Sequence, residues 1–221
     1  MNPWHILFDL DGTLTDPKFG ITRCIQYALV KLGEPVPNID DLLWCIGPPL
    51  QDNFAQLLTE PTDDSIQQAM ACYRERFATI GMFENEVYAG IPDVLGALQQ
   101  EGYHLCVATS KPRVYAFDIL NHFNLAPYFE EIFGSELDGR LRQKADLIAH
   151  ILETKRIGRY HCIMVGDRKH DILGAQANHV PTIGVTYGYG SRAELQQAGA
   201  GTLIDAPEEL GKAVTEIVLT R

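Results

Sequence analysis

An acidic segment follows the first apolar run of the chain. Residues 4–8 (WHILF) lead directly into residues 9–16 (DLDGTLTD). Alternate side chains of a strand point to the same face, so Asp9 and Asp11 are expected to approach each other beside a turn opened by Gly12. Two carboxylates that share a site either bind a cation or divide a proton unequally. Both outcomes suit phosphoryl transfer.

Two other interpretations of this segment were considered. A strand that ends in Asp and Gly often only starts a turn. A calcium-binding EF-hand loop is excluded by spacing, because such a loop requires Gly at position 6 and an acidic residue at position 12. Here Gly12 is fourth and Gly20 is twelfth. The choice between a turn and a reactive site therefore depends on the rest of the chain.

Composition narrows the class of protein. The chain has 221 residues and a formal net charge of −11, which argues against a nucleic acid partner. No apolar stretch approaches the roughly 18 residues of a membrane span, so no membrane partner is expected. The five cysteines are scattered without a paired motif, which favours reduced thiols. We expect a cytoplasmic protein that is a monomer or a homodimer.

Strand-like and helix-like segments alternate through most of the chain. After the first strand, strands are predicted at 103–109, 161–165, 182–185 and 202–204. Helical periodicity predicts helices at 92–101, 113–123, 143–153, 169–178 and 207–219. This alternation predicts an α/β fold, with a Rossmann-like parallel sheet core and helices on both of its faces. In such sheets ligands bind beyond the carboxyl ends of the strands.

Residues 17–87 interrupt this alternation. They are almost entirely helical in pattern, around 21–32, 49–58 and 64–80. We therefore predict an inserted helical subdomain at 17–87 and a core formed by 1–16 and 88–221.

Polar residues follow the other predicted strands as well. Thr109, Ser110 and Lys111 end one strand, and residues 166–171 (GDRKHD) follow another. Between them Lys144 lies at the predicted start of a helix. These segments are expected to converge with Asp9 and Asp11 at one sheet edge.

The four segments together resemble the motifs of the haloacid dehalogenase-like hydrolase superfamily, in its phosphoglycolate phosphatase-like and nucleotidase-like branch. Residues 9–14 resemble the first motif, Thr109 the second, Lys144 the third and residues 166–171 the fourth. The helical insertion also lies where members of this branch carry a cap. The resemblance covers essentially the whole chain.

The resemblance implies a role for each acidic residue. Asp9 would be the nucleophile that forms an aspartyl-phosphate, and Asp11 would be the general acid and then the general base. Mg²⁺ would be held by Asp9, the backbone carbonyl of Asp11 and Asp167. Asp171 would support these ligands without binding the cation itself.

Other residues would hold the phosphoryl group. The resemblance assigns its oxygens to Thr109, the backbone amide of Ser110 and Lys144. Lys144 is preferred because it lies between the second and fourth motifs at a helix start that also carries Arg142, and Lys111 is the alternative. In the ordinary interpretation, each of these two lysines is a solvated surface residue.

The cap would supply the contacts that select a substrate. Lys18, Arg23 and the turn at Gly47 are the candidates, although each also has an ordinary explanation, as a solvated charge or as a simple turn. The glycine-flanked Tyr189 after the strand at 182–185 lacks a full nucleotide-binding fingerprint and is interpreted as a turn.

The implied activity is a magnesium-dependent phosphatase that acts on a small phosphorylated metabolite. Phosphoglycolate and a nucleoside 5'-monophosphate are the leading substrates. Dehalogenation is disfavoured because Asp11 would have no leaving oxygen to protonate. A phosphotransferase or sugar-phosphate mutase is the alternative, although residues 17–87 lack the cap His that mutases use. A non-catalytic regulator that binds a phosphorylated ligand is the third hypothesis.

Overall fold

A computed structural model describes residues 3–220. The strands are β1 (His5–Phe8), β2 (Thr15–Asp16), β3 (Glu86–Val87), β4 (His104–Pro112), β5 (Glu131–Ser135), β6 (Cys162–Gly166), β7 (Thr182–Val185) and β8 (Thr202–Ile204). The α-helices are α1 (Lys18–Leu32), α2 (Leu50–Leu57), α3 (Asp63–Phe77), α4 (Ile91–Gln100), α5 (Arg113–His122), α6 (Lys144–Lys155), α7 (Lys169–Ala177), α8 (Arg192–Gln197) and α9 (Leu210–Leu219). None of the helices in this described range is long and apolar enough to cross a membrane.

Six strands form a parallel sheet in the order β5-β4-β1-β6-β7-β8. The chain builds outward from β1 on one side through β4 and β5, and then returns to the other side of β1 with β6. Ligands of such sheets bind where the strand order reverses, at the carboxyl ends of the strands. This position lies directly after β1, at Asp9. The predicted parallel α/β fold is confirmed.

Apolar side chains explain why β1 lies at the centre of the sheet. Ile6, Leu7 and Phe8 are all at most 1% exposed, as expected for a strand that is covered on both faces. Leu7 belongs to a core cluster with residues of β4, β6 and α6, including Met164 and Ile148. Helix α4 also packs on β4.

The chain divides into two compact units. One comprises Met1–Asp16 and Val87–Arg221, which contain the parallel sheet. The other comprises Pro17–Glu86, in which α1 packs against α3 and α2 also contacts α3. The Thr62 hydroxyl accepts a hydrogen bond from the amide of Ser65 at 3.1 Å and so fixes the start of α3.

Candidate active site

Asp9 and Asp11 lie in the loop that follows β1, and both are nearly buried, with 5% and 7% exposure. The amide of Asp9 donates to Val165 O at 2.9 Å, which holds the start of the loop beside β6. The regular strand ends at Phe8, so Asp9 and Asp11 lie in the loop beyond it and not within the strand. Each carboxylate contacts a different lysine.

Lys144 connects Asp9 to Asp171. Its Nζ atom lies 3.1 Å from Oδ1 of Asp9 and 2.7 Å from Oδ1 of Asp171. It also donates to Ala108 O at 2.8 Å. Burial opposes the charge on this ammonium, but the two carboxylates outweigh burial and raise its pKa. Lys144 therefore carries a positive charge directly against the candidate nucleophile.

Lys111 contacts the other carboxylate of the loop. Its Nζ atom donates to Oδ1 of Asp11 at 2.9 Å. Burial raises the pKa of Asp11, while Lys111 partly opposes that rise. An acid of this kind retains a proton more readily than a solvated Asp, as a general acid must. Sequence reasoning considered Lys111 only as an alternative phosphate ligand and missed this ion pair.

Asp167 follows β6 and joins Asp9 and Asp171 in a compact acidic group. One carboxylate oxygen from each of the three lies within 4.8 Å of the others, and all three residues are buried. Burial, and then the charges of Asp171 and Asp9, raise the pKa of Asp167 well above its usual range. The three carboxylates repel one another when they are ionised.

A divalent cation fits this group. The site contains four buried carboxylates, Asp9, Asp11, Asp167 and Asp171, and two buried ammonium groups, Lys111 and Lys144. When all six are ionised, negative charge exceeds positive charge by two. Carboxylate oxygens are the donors that Mg²⁺ prefers, and a dication would balance the excess. The residues present therefore suit magnesium.

Thr109 and Ser110 lie near the carboxyl end of β4. Thr109 is 2% exposed, and its hydroxyl accepts a hydrogen bond from the amide of Lys111 at 3.2 Å. The pairing of β4 with β5 shifts register between Thr109 and Pro112. This irregularity ends the regular ladder at the residues that were predicted to hold the phosphoryl group.

The segment after β7 forms turns and bends, as predicted, and it also contributes to the site. This contribution was not predicted from the sequence. The amide of Tyr189 donates to Oδ2 of Asp167 at 2.7 Å. A Cβ atom on Gly188 would lie 2.2 Å from Gly12 O and 2.6 Å from Oδ2 of Asp167. Only glycine therefore permits this approach. The available signal was a pair of glycines, Gly188 and Gly190, that flank one residue shortly after a strand.

Tyrosine side chains line the exit from the acidic loop. The Tyr189 hydroxyl donates to Asp16, and the Tyr187 hydroxyl donates to Thr13 O at 3.1 Å. Tyr88 packs edge-on against Tyr187, with ring centroids 5.2 Å apart. These contacts hold Thr13 and Asp16 against the segment that follows β7.

The predicted substrate contacts Lys18, Arg23 and Gly47 belong to the Pro17–Glu86 unit. Nζ of Lys18 lies 2.7 Å from Oδ1 of Asp40, and Nη1 of Arg23 lies 2.8 Å from Oε1 of Glu84. Gly47 has a φ of 105°, which suits glycine in a turn. Both cations thus form ion pairs within their own unit.

Comparisons with known proteins identify the family. The family described as haloacid dehalogenase-like hydrolases matches residues 6–185. A 5'-nucleotidase from Pseudomonas aeruginosa is 50% identical over 193 residues, which cover 87% of this chain and 86% of that protein. The tyrosine-protein kinase PtkA from Mycobacterium tuberculosis is 36% identical over 203 residues, which cover 92% of this chain and 68% of that protein.

A solved structure agrees with these relatives. The crystal structure of a predicted phosphatase from Clostridium acetobutylicum superposes with a TM-score of 0.93 at 44% identity, covering 97% of this chain and 100% of that one. The resemblance inferred from the four motifs is confirmed. The chain belongs to the haloacid dehalogenase-like hydrolase family and is one of its phosphatases.

Proposed function

We propose that this phosphatase is magnesium-dependent and cleaves phosphate monoesters through an aspartyl-phosphate on Asp9. The observation that carries the proposal is the buried group of Asp9, Asp167 and Asp171, with Lys144 in contact with Asp9. Asp9, Asp167 and the backbone carbonyl of Asp11 would hold the cation. Magnesium, when bound, would offset the negative charge that gathers on the phosphoryl oxygens.

Asp9 and Asp11 then have separate tasks. The carboxylate of Asp9 attacks phosphorus as the bond from phosphorus to the leaving oxygen breaks, and protonated Asp11 gives its proton to that oxygen. Asp11 next takes a proton from the water that hydrolyses the aspartyl-phosphate. This second step restores Asp9 and releases inorganic phosphate. The raised pKa of buried Asp11 supports the first of these tasks.

Neighbouring groups would hold the phosphoryl oxygens. The Thr109 hydroxyl, the Ser110 amide and the Lys144 ammonium are the proposed donors. Lys144 also keeps positive charge beside Asp9, at 3.1 Å. Lys111 has a different proposed task, because its contact with Asp11 orients the acid. Asp171 would hold Lys144 in position from behind, at 2.7 Å.

We further infer that residues 17–87 form a helical cap and that the core comprises 1–16 and 88–221. The compact Pro17–Glu86 unit supports this division. Lys18, Arg23 and the turn at Gly47 are the proposed substrate contacts of the cap. Nucleoside 5'-monophosphates are the preferred substrate class, because the relative at 50% identity is a 5'-nucleotidase. Phosphoglycolate is the second substrate to test.

A panel of phosphate monoesters tests the proposal. We expect release of inorganic phosphate that requires magnesium and is fastest with a nucleoside 5'-monophosphate. Asp9→Asn should lose turnover by at least about a thousandfold and should not form a phosphoprotein. Turnover that is retained in Asp9→Asn would contradict the role of Asp9. Equal turnover with and without added magnesium, in protein first stripped of metal, would contradict the proposed requirement for the cation.

A second candidate function is phosphotransfer to an acceptor other than water. The relationship to the tyrosine-protein kinase PtkA favours including it. Both functions would share the attack by Asp9 and differ in the group that receives the phosphoryl from it. Product analysis by mass spectrometry separates them, because a transferase yields a phosphorylated acceptor with little free phosphate.

A further inference from the structure

A second group of metal-ligating side chains lies at the opposite end of the strands from Asp9. His5 begins β1 and His104 begins β4, and the two residues are partners in the parallel register. Glu130 immediately precedes β5, and its amide donates to Leu105 O at 2.9 Å. One ligand atom from each of His5, His104 and Glu130 lies within 4.8 Å of the others.

The donor atoms of this group are only partly used. The two imidazole rings stack with centroids 4.9 Å apart and planes 22° apart. Nδ1 of His5 is buried and has no side-chain hydrogen-bond partner among the described residues. A buried polar atom that lacks a good partner costs free energy, which a ligand would recover. This nitrogen is an observation independent of the clustering, and it favours a ligand at the group.

Two neighbours orient the Glu130 carboxylate. Its Oε1 atom contacts Nδ1 of His104, while its Oε2 atom lies 3.4 Å from Nζ of Lys155. Lys155 thus holds Oε2, and Oε1 would coordinate an ion in place of its contact with His104. The side chains of His104 and Glu130 are 36% and 41% exposed, so an ion has access from solvent.

We propose that His5, His104 and Glu130 form a binding site for Zn²⁺ that is separate from the active site. Two imidazoles and one carboxylate are a zinc donor set, and water would complete the tetrahedron. Magnesium and calcium prefer oxygen donors, so this group discriminates against the cation proposed for the acidic group. A bound ion would link the beginnings of β1, β4 and the segment before β5, and so stabilise the sheet.

Calorimetric titration of tag-free, metal-free protein with zinc chloride, in excess magnesium, tests the site. The variants are His104→Asn and Glu130→Gln, and the matched control is His150→Asn, on the exposed side of α6. We expect the wild type and the control to bind one zinc ion more than His104→Asn does. Glu130→Gln should weaken that ion by at least about tenfold. Zinc should also raise the melting temperature of the wild type but not of His104→Asn.

Circular dichroism establishes that each variant is folded before titration. Glu130→Gln changes a surface residue and gives an independent test if His104→Asn is poorly folded. Equal zinc binding by wild type and both variants would overturn the proposal, as would no zinc binding by the wild type. Asp167→Asn should retain the site, whereas its loss in that variant would assign the zinc to the acidic group instead. Neither outcome depends on phosphatase activity.

Discussion

The ammonium of Lys111 contacts both oxygens of the Asp11 carboxylate, at 2.9 Å to Oδ1 and 2.8 Å to Oδ2. The two side chains are only 6% and 10% exposed. They come from different strand ends, since Asp11 follows β1 and Lys111 lies in β4. Removing one partner of such a pair leaves an uncompensated buried charge, whereas removing both does not.

This geometry predicts energetic coupling between Lys111 and Asp11. In metal-free protein, Lys111→Met should lower the free energy of unfolding more in the wild type than in the Asp11→Asn background. We expect a coupling energy of about 1–3 kcal/mol. Urea unfolding of the four proteins of the cycle measures it. Costs that are equal in the two backgrounds would show that the pair contributes nothing to stability.

The proposed proton transfer by Asp11 predicts a dependence on the leaving group. Asp11→Asn should lower kcat/KM by about 10²–10⁴-fold for alkyl phosphates, whose leaving oxygen requires a proton. The loss should be much smaller for an aryl phosphate such as p-nitrophenyl phosphate, whose leaving group is stable as an anion. Steady-state kinetics with a series of esters measures both. A uniform loss across the series would argue against general acid catalysis by Asp11.

The close approach of Gly188 to Asp167 predicts that an added methyl group damages the proposed magnesium site. Gly188→Ala would force a Cβ atom to within 2.5 Å of the Asp167 Cβ atom, so Asp167 must move. We expect the magnesium concentration for half-maximal activity to rise by at least about tenfold. Gly211→Ala is the control, because Gly211 lies in α9 with no atom within 4 Å of an added Cβ. An unchanged magnesium requirement in Gly188→Ala would contradict the prediction.

The hydrogen bonds of Glu84 predict that the stability of the Pro17–Glu86 unit depends on pH. Hydrogen bonds from Arg76, and then from Arg23, lower the pKa of Glu84 despite partial burial. A carboxyl whose folded pKa is lowered stabilises the fold above its unfolded pKa of about 4.3. That stabilisation is lost as the pH falls through the folded pKa.

Glu84→Gln should therefore lower the free energy of unfolding by about 1 kcal/mol at pH 7. The difference from wild type should shrink as the pH falls below about 4. Urea unfolding across this pH range measures it. Glu75→Gln, which removes an exposed pair with Lys31, should have the smaller effect at pH 7. A difference that persists unchanged to low pH would exclude the ionic contribution of Glu84.

The sequence predicted the elements that have strong patterns and missed those that do not. The strand at Thr182–Val185 is fully buried and has the predicted bounds. Strand β5 was missed because Glu131–Ser135 is short and begins with a polar residue at the sheet edge. Helix α8 was missed because it has six residues and buries only Leu195. Such elements are stabilised by tertiary contacts rather than by periodicity.

The candidate site was predictable where chemistry depends on residue type at a strand end. Asp9 and Asp167 belong to this class, Lys144 was predicted at the start of a helix, and the catalytic and metal-binding roles of all three remain predictions. The ion pair of Lys111 with Asp11 was not predictable, because it depends on the direction in which a long side chain extends. The contact of the Tyr189 amide with Asp167 was not predictable either, because a backbone amide donor leaves no residue-type signal in the sequence.

The central position of β1 has a consequence for synthesis of the chain. His5 pairs with His104 on one side and with Cys162 on the other, so β1, which precedes the other strands of this sheet in the chain, waits for both partners. At ~5–20 residues per second, the ~160 residues that separate β1 from β6 require roughly 8–30 s. The apolar Ile6, Leu7 and Phe8 lack their β6 neighbour throughout that interval, and only β4 can pair with them earlier. The order of translation thus leaves the strand that presents Asp9 incompletely covered until Cys162–Gly166 has been made.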